Sequence, residues 1–328
     1  MIQPNLLYVL VSSDDDLYLE QAFISMYSAK YHMPEAHITL LTDKATESTL
    51  TNNREKEVLY ADDIISVDLD TQKYNARQRS RILKTSARQY VKGDYLYIDC
   101  DTIIIKPLPD FSHFTAPIMA CWDTHSAFKD NPYRDMCLRH GHLLDWPIDD
   151  EEAYFNSGIL FVKDDSISHD FYKKWNENLV KGFGKGVFMD QPSLAKTNYE
   201  TGHVIKRLDD LWNCELKHGV RFMKDAYIWH YLCTNKSKNQ QKQLFILNEN
   251  SILMNIKRTA VISDEIKQVV IDPFSGLAEV THCFAGDDVY YFQTPLHWKL
   301  RSIYKTRLFT ILEKVLLTYY KIRQIISL

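Results

Sequence analysis

The chain lacks an excess of charge of either sign. Its 328 residues contain 39 Lys and Arg against 43 Asp and Glu, a formal net charge of −4. A general nucleic-acid-binding protein normally carries a strong basic excess, so we expect no nucleic-acid partner. Disorder is not expected either, because 45% of the residues are hydrophobic and 12% are aromatic, which is enough for a large core.

The sequence also lacks a run of about 18 uncharged apolar residues, which a membrane-spanning helix needs. Its first residues carry no basic segment of the kind that opens a secretory signal. The six cysteines are scattered without a C-x-x-C pair, so neither a disulfide framework nor a zinc site is predicted. We therefore expect a cytoplasmic protein with free thiols.

Charge is unevenly distributed along the chain. Residues 295–328 carry a net charge of +6, which leaves −10 for the rest. From Trp298 to Ile326, apolar residues recur at helical spacing, and Lys and Arg border them on both sides. A basic amphipathic helix of this kind favours peripheral contact with an anionic membrane, here at its inner face. The alternative is a terminal helix that packs on the acidic body.

Short apolar segments alternate with helical ones, which predicts an α/β fold with a mainly parallel central sheet. Ligands bind to such sheets beyond the carboxyl ends of the strands. A polar stretch at 237–243 indicates a boundary. We predict a catalytic domain at 1–243, a small strand-containing accessory region at 244–294 and a basic helical segment at 295–328. The predicted strands are residues 6–11, 38–42, 64–67, 95–98, 103–105 and 159–162, and the predicted helices are 19–31, 76–92 and 171–180.

The strongest chemical signal is Asp99-Cys100-Asp101, directly after the apolar strand 95–98. Two carboxylates two residues apart can both reach a divalent cation at the edge of a sheet. Hard oxygen ligands suit Mg²⁺ or Mn²⁺, which would neutralise a diphosphate. Burying two acids beside the apolar residues 102–105 is costly without a cation, and this favours a metal site over a solvated turn.

Further polar residues have a structural and a functional interpretation, and the sequence leaves both open. His230, in an apolar setting, is either a metal ligand or a hydrogen-bonded core histidine. Lys236 is either a phosphate ligand or a surface lysine. Asn156 either lies in an ordinary turn or faces a ligand, and Asp190 is either a helix N-cap or a site carboxylate.

Taken in order, these segments resemble the GT-A glycosyltransferases of family 8, the glycogenin and lipooligosaccharide galactosyltransferase type. The resemblance covers residues 5–240 and rests on the order and spacing of several motifs together. The matching segments are 9–14 (VLVSSD), 95–101 (YLYIDCD), 154–158 (YFNSG), Asp190-Gln191, and His230-Tyr231 with Lys236.

The resemblance implies a Rossmann-like nucleotide-sugar fold and a retaining transfer of glucose or galactose from a UDP-sugar to a glycan or glycolipid. It implies Mn²⁺ or Mg²⁺ bound by Asp99, Asp101 and His230. It also implies that Gln191 and Asp190 are catalytic residues at the reacting sugar. The implied donor-binding residues are Ser13, Asp14, Arg81, Lys84, Asp123, Asn156 and Lys236.

Two other functions remain open at this point. One is a GT-A transferase with another donor, such as GDP-mannose, or with a protein acceptor. The other is a non-catalytic scaffold that binds sugar nucleotides or a membrane surface. Together, Asp99, Asp101, His230 and Gln191 argue against a scaffold, which needs none of them. An amide such as Gln191 is a poor nucleophile, so retention through it favours a front-side transfer.

Overall fold

Strands and helices alternate along most of the chain in the computed structural model, which describes residues 5–111, 113–231, 245–277 and 290–326. The mixed α/β architecture and its mainly parallel sheet confirm the predicted fold class. The strands are β1 (Asn5–Leu10), β2 (Ile38–Asp43), β3 (Asp63–Val67), β4 (Tyr95–Ile98), β5 (Thr102–Ile104), β6 (Ile118–Trp122), β7 (Phe155–Val162), β8 (Ile205–Arg207), β9 (Cys214–Glu215) and β10 (Ile228–His230).

The central sheet has seven strands in the order β3-β2-β1-β4-β7-β6-β8. Strand β7 runs antiparallel to β4 and β6, and the other neighbouring pairs are parallel. Strands β1 and β4 are adjacent and parallel, so the chain leaves both of them at the same edge of the sheet. That edge is where a doubly wound sheet offers a ligand site.

Helices cover both faces of the sheet, because alternate residues of a buried strand point to opposite sides. On β1, Leu6 and Tyr8 pack in one apolar cluster with α1, whereas Leu7 and Val9 pack in another with α4 and α6. The helices are α1 (Tyr18–His32), α2 (Lys44–Glu47), α3 (Asn53–Lys56), α4 (Ala76–Ser86), α5 (Arg134–Leu143), α6 (Ser166–Phe183), α7 (Asp190–Glu200), α8 (Asn250–Thr259), α9 (Asp264–Ile271), α10 (Pro295–Ser302) and α11 (Arg307–Ile326).

A second sheet of three strands, β5-β10-β9, lies beyond β4. The chain enters β5 directly after Asp101, and β10 pairs with β5 in antiparallel register, with His230 opposite Thr102. Strand β9 pairs with β10 on the other side, in parallel register. This small sheet therefore brings His230, distant in sequence, next to the acidic segment that follows β4.

The strands predicted for residues 244–294 are wrong for residues 245–277, which form α8 and α9. Their branched apolar residues suit strands, but the spacing is helical, and each helix buries one face. Leu253 and Ile256 of α8 and Ile266 and Val269 of α9 join an apolar cluster that also contains Phe23 of α1. The region thus shares a core with the sheet domain.

The basic segment forms two helices instead of one continuous helix, because the chain turns at Lys305, where φ is +65°. Helix α10 packs on the body through Trp298, whose ring lies 4.3 Å from that of His218. The side chains of α11 described up to residue 319 are exposed, except for the half-buried Phe309. Among the helices of the described residues, none is long and apolar enough to span a membrane.

Candidate active site

The predicted nucleotide-binding loop follows β1 at the same sheet edge where Asp99 follows β4. The Ser13 N–H donates to Asp16 Oδ2 at 2.8 Å, which closes a tight turn. Buried Arg54 of α3 stabilises this turn. Its guanidinium donates to the Ser13 carbonyl at 3.0 Å and lies 3.5 Å from Asp14 Oδ1. Ser13 is half-buried and Asp14 exposed.

Asp99, Asp101 and His230 meet at this edge, with one ligand atom from each lying within 4.8 Å of the others. Asp99 is fixed by its own N–H, which donates to the Gly158 carbonyl at 2.9 Å, and by the Tyr97 hydroxyl, which donates to its carboxylate. The β5–β10 pairing brings His230 Nε2 to 3.2 Å from Asp101 Oδ1.

The three side chains fit a divalent cation. Burial would lower the pKa of His230, but the Asp101 charge more than offsets this and raises it, so the pocket favours positive charge beside the ring. Gly158 leaves room for the cluster, since a Cβ there would lie 2.5 Å from His230 Cε1 and 2.9 Å from Asp99 Oδ2. Two carboxylates and an imidazole are ligands that a divalent cation accepts.

An ion-pair network of α4 and α7 borders the cluster of Asp99, Asp101 and His230. Buried Lys84 lies 3.2 Å from Asp99 Oδ1 and 2.9 Å from Asp190 Oδ2, while Arg81 Nε lies 3.0 Å from Asp190 Oδ1. The Ser157 hydroxyl donates to Asp190 at 2.8 Å. Burial would raise the pKa of Asp190, but Lys84 and then Arg81 more than offset it, so the pKa lies well below its usual range.

Asp123 and Asn156 form the other side of the site. The Asn156 amide donates to Asp123 Oδ1 at 3.3 Å, and the Asn131 amide donates to Asp123 Oδ2 at 2.8 Å. Burial raises the pKa of Asp123, although hydrogen bonds from Asn131, Gln191 and Asn156 oppose the rise. Asp123 and Asn156, two of the predicted donor-binding residues, therefore lie together with Gln191.

A strained turn follows Asp123. Thr124 and His125 are buried and both have φ near the left-handed region, at +55° and +56°. The Thr124 N–H donates to Glu215 Oε1 at 3.0 Å, and the Glu215 N–H donates back to His125 Nε2 at 3.1 Å. Two consecutive left-handed residues other than glycine are costly, so the surrounding contacts must hold them.

The structure decides two alternatives that the sequence leaves open. Asn156 lies inside β7 rather than in a turn before it. Asp190 is the first residue of α7, whose N-cap is Met189, and its carboxylate binds basic side chains instead of capping the helix. Lys236 lies outside the described residues.

Sequence reasoning missed several residues that support the site. Asn213 bonds both His230 and Asn156, and Glu215 and Arg54 hold the two loops described above. Asn213 comes just before the two-residue strand β9, and Arg54 lies in a polar segment like many surface helices. Neither has a motif or an apolar periodicity that singles it out.

Residues 37–258, more than half of the chain, match the family described as nucleotide-diphospho-sugar transferase. The chain therefore belongs to this family, and it is a glycosyltransferase. The match supports the resemblance to the family 8 GT-A enzymes on which the sequence prediction rests. Among curated proteins, none matches the sequence.

Solved structures show the same fold. The galactosyltransferase LgtC, solved with donor and acceptor sugar analogues, has 13% sequence identity and a TM-score of 0.52, over 80% of this chain and 99% of that one. The glycosyltransferase GlyE of Streptococcus pneumoniae TIGR4 has 16% identity and a TM-score of 0.50, over 86% of this chain and 66% of that one. At such identities the likeness concerns the GT-A fold alone.

Proposed function

We propose that this glycosyltransferase moves glucose or galactose from a UDP-sugar to a glycan or glycolipid, with retention of configuration and with Mn²⁺ or Mg²⁺. The observation that carries the proposal is the cluster of Asp99, Asp101 and His230 at the edge of the sheet. Lys84 connects this cluster to the buried Asp190, and Asn156 and Asn213 connect it to the buried Asp123. A bound cation would stabilise the charge that develops on the leaving diphosphate.

Different residues around the cluster would bind different parts of the donor. Ser13 and Asp14 lie at the loop after β1, where the nucleotide of an α/β sheet binds. Asp123 and Asn156 offer a carboxylate and an amide to sugar hydroxyls at the opposite side of the cluster. Lys236 remains a proposed diphosphate ligand from the resemblance alone.

Asp190 is better suited to hold the sugar than to attack it. Its two carboxylate oxygens are occupied by Arg81 on one side and by Lys84 and Ser157 on the other. A carboxylate stabilised in this way is a weak nucleophile, and Gln191 beside it is weaker. We therefore propose a front-side transfer, in which the acceptor hydroxyl gives its proton to the departing phosphate oxygen.

The test is a panel of nucleotide sugars incubated with Mn²⁺ or with chelator, with nucleotide release as the readout. We expect release from UDP-glucose or UDP-galactose that chelator abolishes. Release only from another donor, such as GDP-mannose, would contradict the UDP-hexose assignment. Absence of metal-dependent release with every donor would contradict the proposed function.

Mass spectrometry after incubation with donor tests the front-side path. We expect no glycosylated protein in the wild type or in a Gln191→Glu variant, while the wild type turns over. A covalent hexose on Asp190 would overturn this mechanism and favour a double displacement.

We also propose a cytoplasmic protein that binds peripherally to the inner face of an anionic membrane through residues 295–328. Exposed apolar residues recur along α11, including Leu308, Ile311, Val315 and Ile322. Basic residues border them, and such a surface binds a lipid headgroup layer through apolar insertion and charge. A membrane position would bring the active site to a lipid-linked acceptor.

A further inference from the structure

A row of four buried side chains connects the sugar side of the site to the metal side. Asp123 is followed by Asn156, Asn213 and His230, and each is at most 6% exposed. The Asn156 amide donates to Asp123 Oδ1 at 3.3 Å, and the Asn213 amide donates to Asn156 Oδ1 at 3.0 Å. Asn213 Oδ1 then lies 3.0 Å from His230 Nδ1.

The direction of every bond in this row is forced by its neighbours. An ionised carboxylate only accepts, so the Asn156 group that faces Asp123 must be its NH₂. The Gly158 backbone N–H confirms this orientation of the Asn156 amide. A backbone N–H only donates, and it lies 2.8 Å from Asn156 Oδ1, which must therefore be the oxygen. Asn213 must therefore present its NH₂ to Asn156, and its carbonyl oxygen faces His230.

His230 is the residue that this order controls. Since the Asn213 oxygen accepts, Nδ1 of His230 must carry a proton, and the ring can bind a metal only through Nε2. Nε2 lies 3.2 Å from Asp101 Oδ1, in the candidate metal cluster, and a bound cation would replace the proton that Nε2 otherwise shares with Asp101. An Asn in the reverse orientation would favour the tautomer that cannot bind metal through Nε2.

We propose that Asn213 is a positioning residue that holds His230 in its metal-binding tautomer and takes its own orientation from Asp123 through Asn156. The proposal rests on the metal-binding function proposed above and adds a physical link between donor-sugar and metal sites. Asn213 comes directly before β9, and the pairing of β9 with β10 sets it beside His230. Partners that orient a metal-binding histidine typically contribute about 10- to 100-fold in metal affinity.

Two variants separate the roles of Asn213. Asn213→Ala removes both bonds, and we expect its dissociation constant for Mn²⁺, measured by electron paramagnetic resonance with and without UDP, to rise about 10- to 100-fold. Asn213→Asp keeps an acceptor for His230 Nδ1 but no donor for Asn156. We expect it to bind Mn²⁺ at least as tightly as the wild type and to lose donor-sugar affinity.

The tautomer itself can be measured without metal. Long-range ¹H–¹⁵N NMR on histidine-labelled, metal-free protein should show a proton on Nδ1 of His230 in the wild type and in Asn213→Asp, whether or not Nε2 also donates a proton to Asp101. Asn213→Ala should lose this preference. A His230→Ala variant identifies the resonance.

The control is Asn178→Ala, which removes a buried amide bonded to Thr197 and Glu200 on α7 instead of the site. Its Mn²⁺ affinity should equal that of the wild type. Equal Mn²⁺ affinity in wild type and Asn213→Ala, or a wild-type His230 ring without a proton on Nδ1, would overturn the inference. A wild type that binds no Mn²⁺ would instead contradict the proposed function.

Discussion

The absence of a side chain at Gly158 allows His230 and Asp99 to approach each other. Gly158 lies in β7 between two metal-ligand candidates, and a Cβ would approach His230 Cε1 to 2.5 Å and Asp99 Oδ2 to 2.9 Å. Gly158→Ala should therefore separate the ligands. We expect a loss of Mn²⁺ affinity of at least tenfold and a destabilisation of about 1–3 kcal/mol, as for other overpacked positions. Titration calorimetry and urea unfolding measure the two effects.

Gly184→Ala is the matched control for this prediction. Its nearest neighbour would lie 3.5 Å from the new Cβ, an ordinary contact, and the backbone has an ordinary φ of −65°. It should leave Mn²⁺ affinity unchanged. Wild-type metal affinity in Gly158→Ala would show that the ligands do not bind where the structure brings them together.

Glu57 is an acid in an unfavourable environment. Its carboxylate is buried, and burial together with the charge of Glu20 raises its pKa to about 8, although Arg54 and Lys257 oppose the rise. The folded state therefore holds a proton that the unfolded state releases near pH 4.5. The contribution of Glu57 to stability should therefore be full below about pH 4.5 and be lost as the pH rises from there to about 8.

Glu57→Gln removes this titration while keeping the shape of the side chain. Between pH 5 and pH 9 the wild type should lose about 4 kcal/mol more unfolding free energy than the variant. Urea unfolding at several pH values measures the difference. Parallel stability curves for the two proteins would show that Glu57 is ionised in the folded state.

At the scale of elements, β9 holds the turn that follows β6 and carries Asp123. Glu215→Ala removes the acceptor of the Thr124 N–H, so the left-handed turn should relax and move the Asp123 carboxylate. We expect a stability loss of about 1–3 kcal/mol. The KM for the donor sugar nucleotide should rise more than tenfold, whereas the Kd for UDP, which lacks the sugar, should stay within twofold.

Glu215→Gln keeps an oxygen acceptor for Thr124 and serves as the control. It should retain most of the donor affinity, because the backbone N–H does not require a charged partner. A wild-type donor KM in Glu215→Ala would mean that the turn holds Asp123 without β9. Weaker binding of both UDP and donor would indicate general damage to the fold.

For the whole molecule, the net charge of −4 is the sum of two regions of opposite sign, the basic residues 295–328 and the acidic remainder of the chain. The exposed α11 combines apolar and basic residues, and the proposed membrane binding follows from both. Ile311→Asp with Val315→Asp should reduce sedimentation with anionic vesicles more than tenfold, since two charges replace inserted apolar groups. Neutral vesicles should bind the wild type less, because each Lys or Arg contributes about 1 kcal/mol at an anionic surface.

Leu59→Asp, at an exposed apolar position on the body, is the control for added charge and should leave vesicle binding unchanged. High salt should weaken wild-type binding. Equal recovery of the wild type in the supernatant with anionic and neutral vesicles would contradict the membrane proposal.

The elements that the sequence predicts best are those with a strong local pattern. The buried strands β1 and β4 appear as apolar runs followed by polar loops, and α6 appears as a periodic segment, so the sheet and its ligand-binding edge follow from local order. The strand prediction is wrong for residues 245–277. Their branched apolar residues suit strands, but these residues recur at a helical spacing, and the segments form α8 and α9.

The sequence by itself determined that two acids follow a buried strand, that the chain is α/β, and that its charge is polarised. These properties depend on neighbours along the chain. Only the tertiary structure decided that His230 reaches Asp101, that Asp190 binds Arg81 and Lys84, and that Asn213 orients His230. The physical reason is that a hydrogen bond or ion pair between distant residues depends on strand register and helix packing, which the whole core sets.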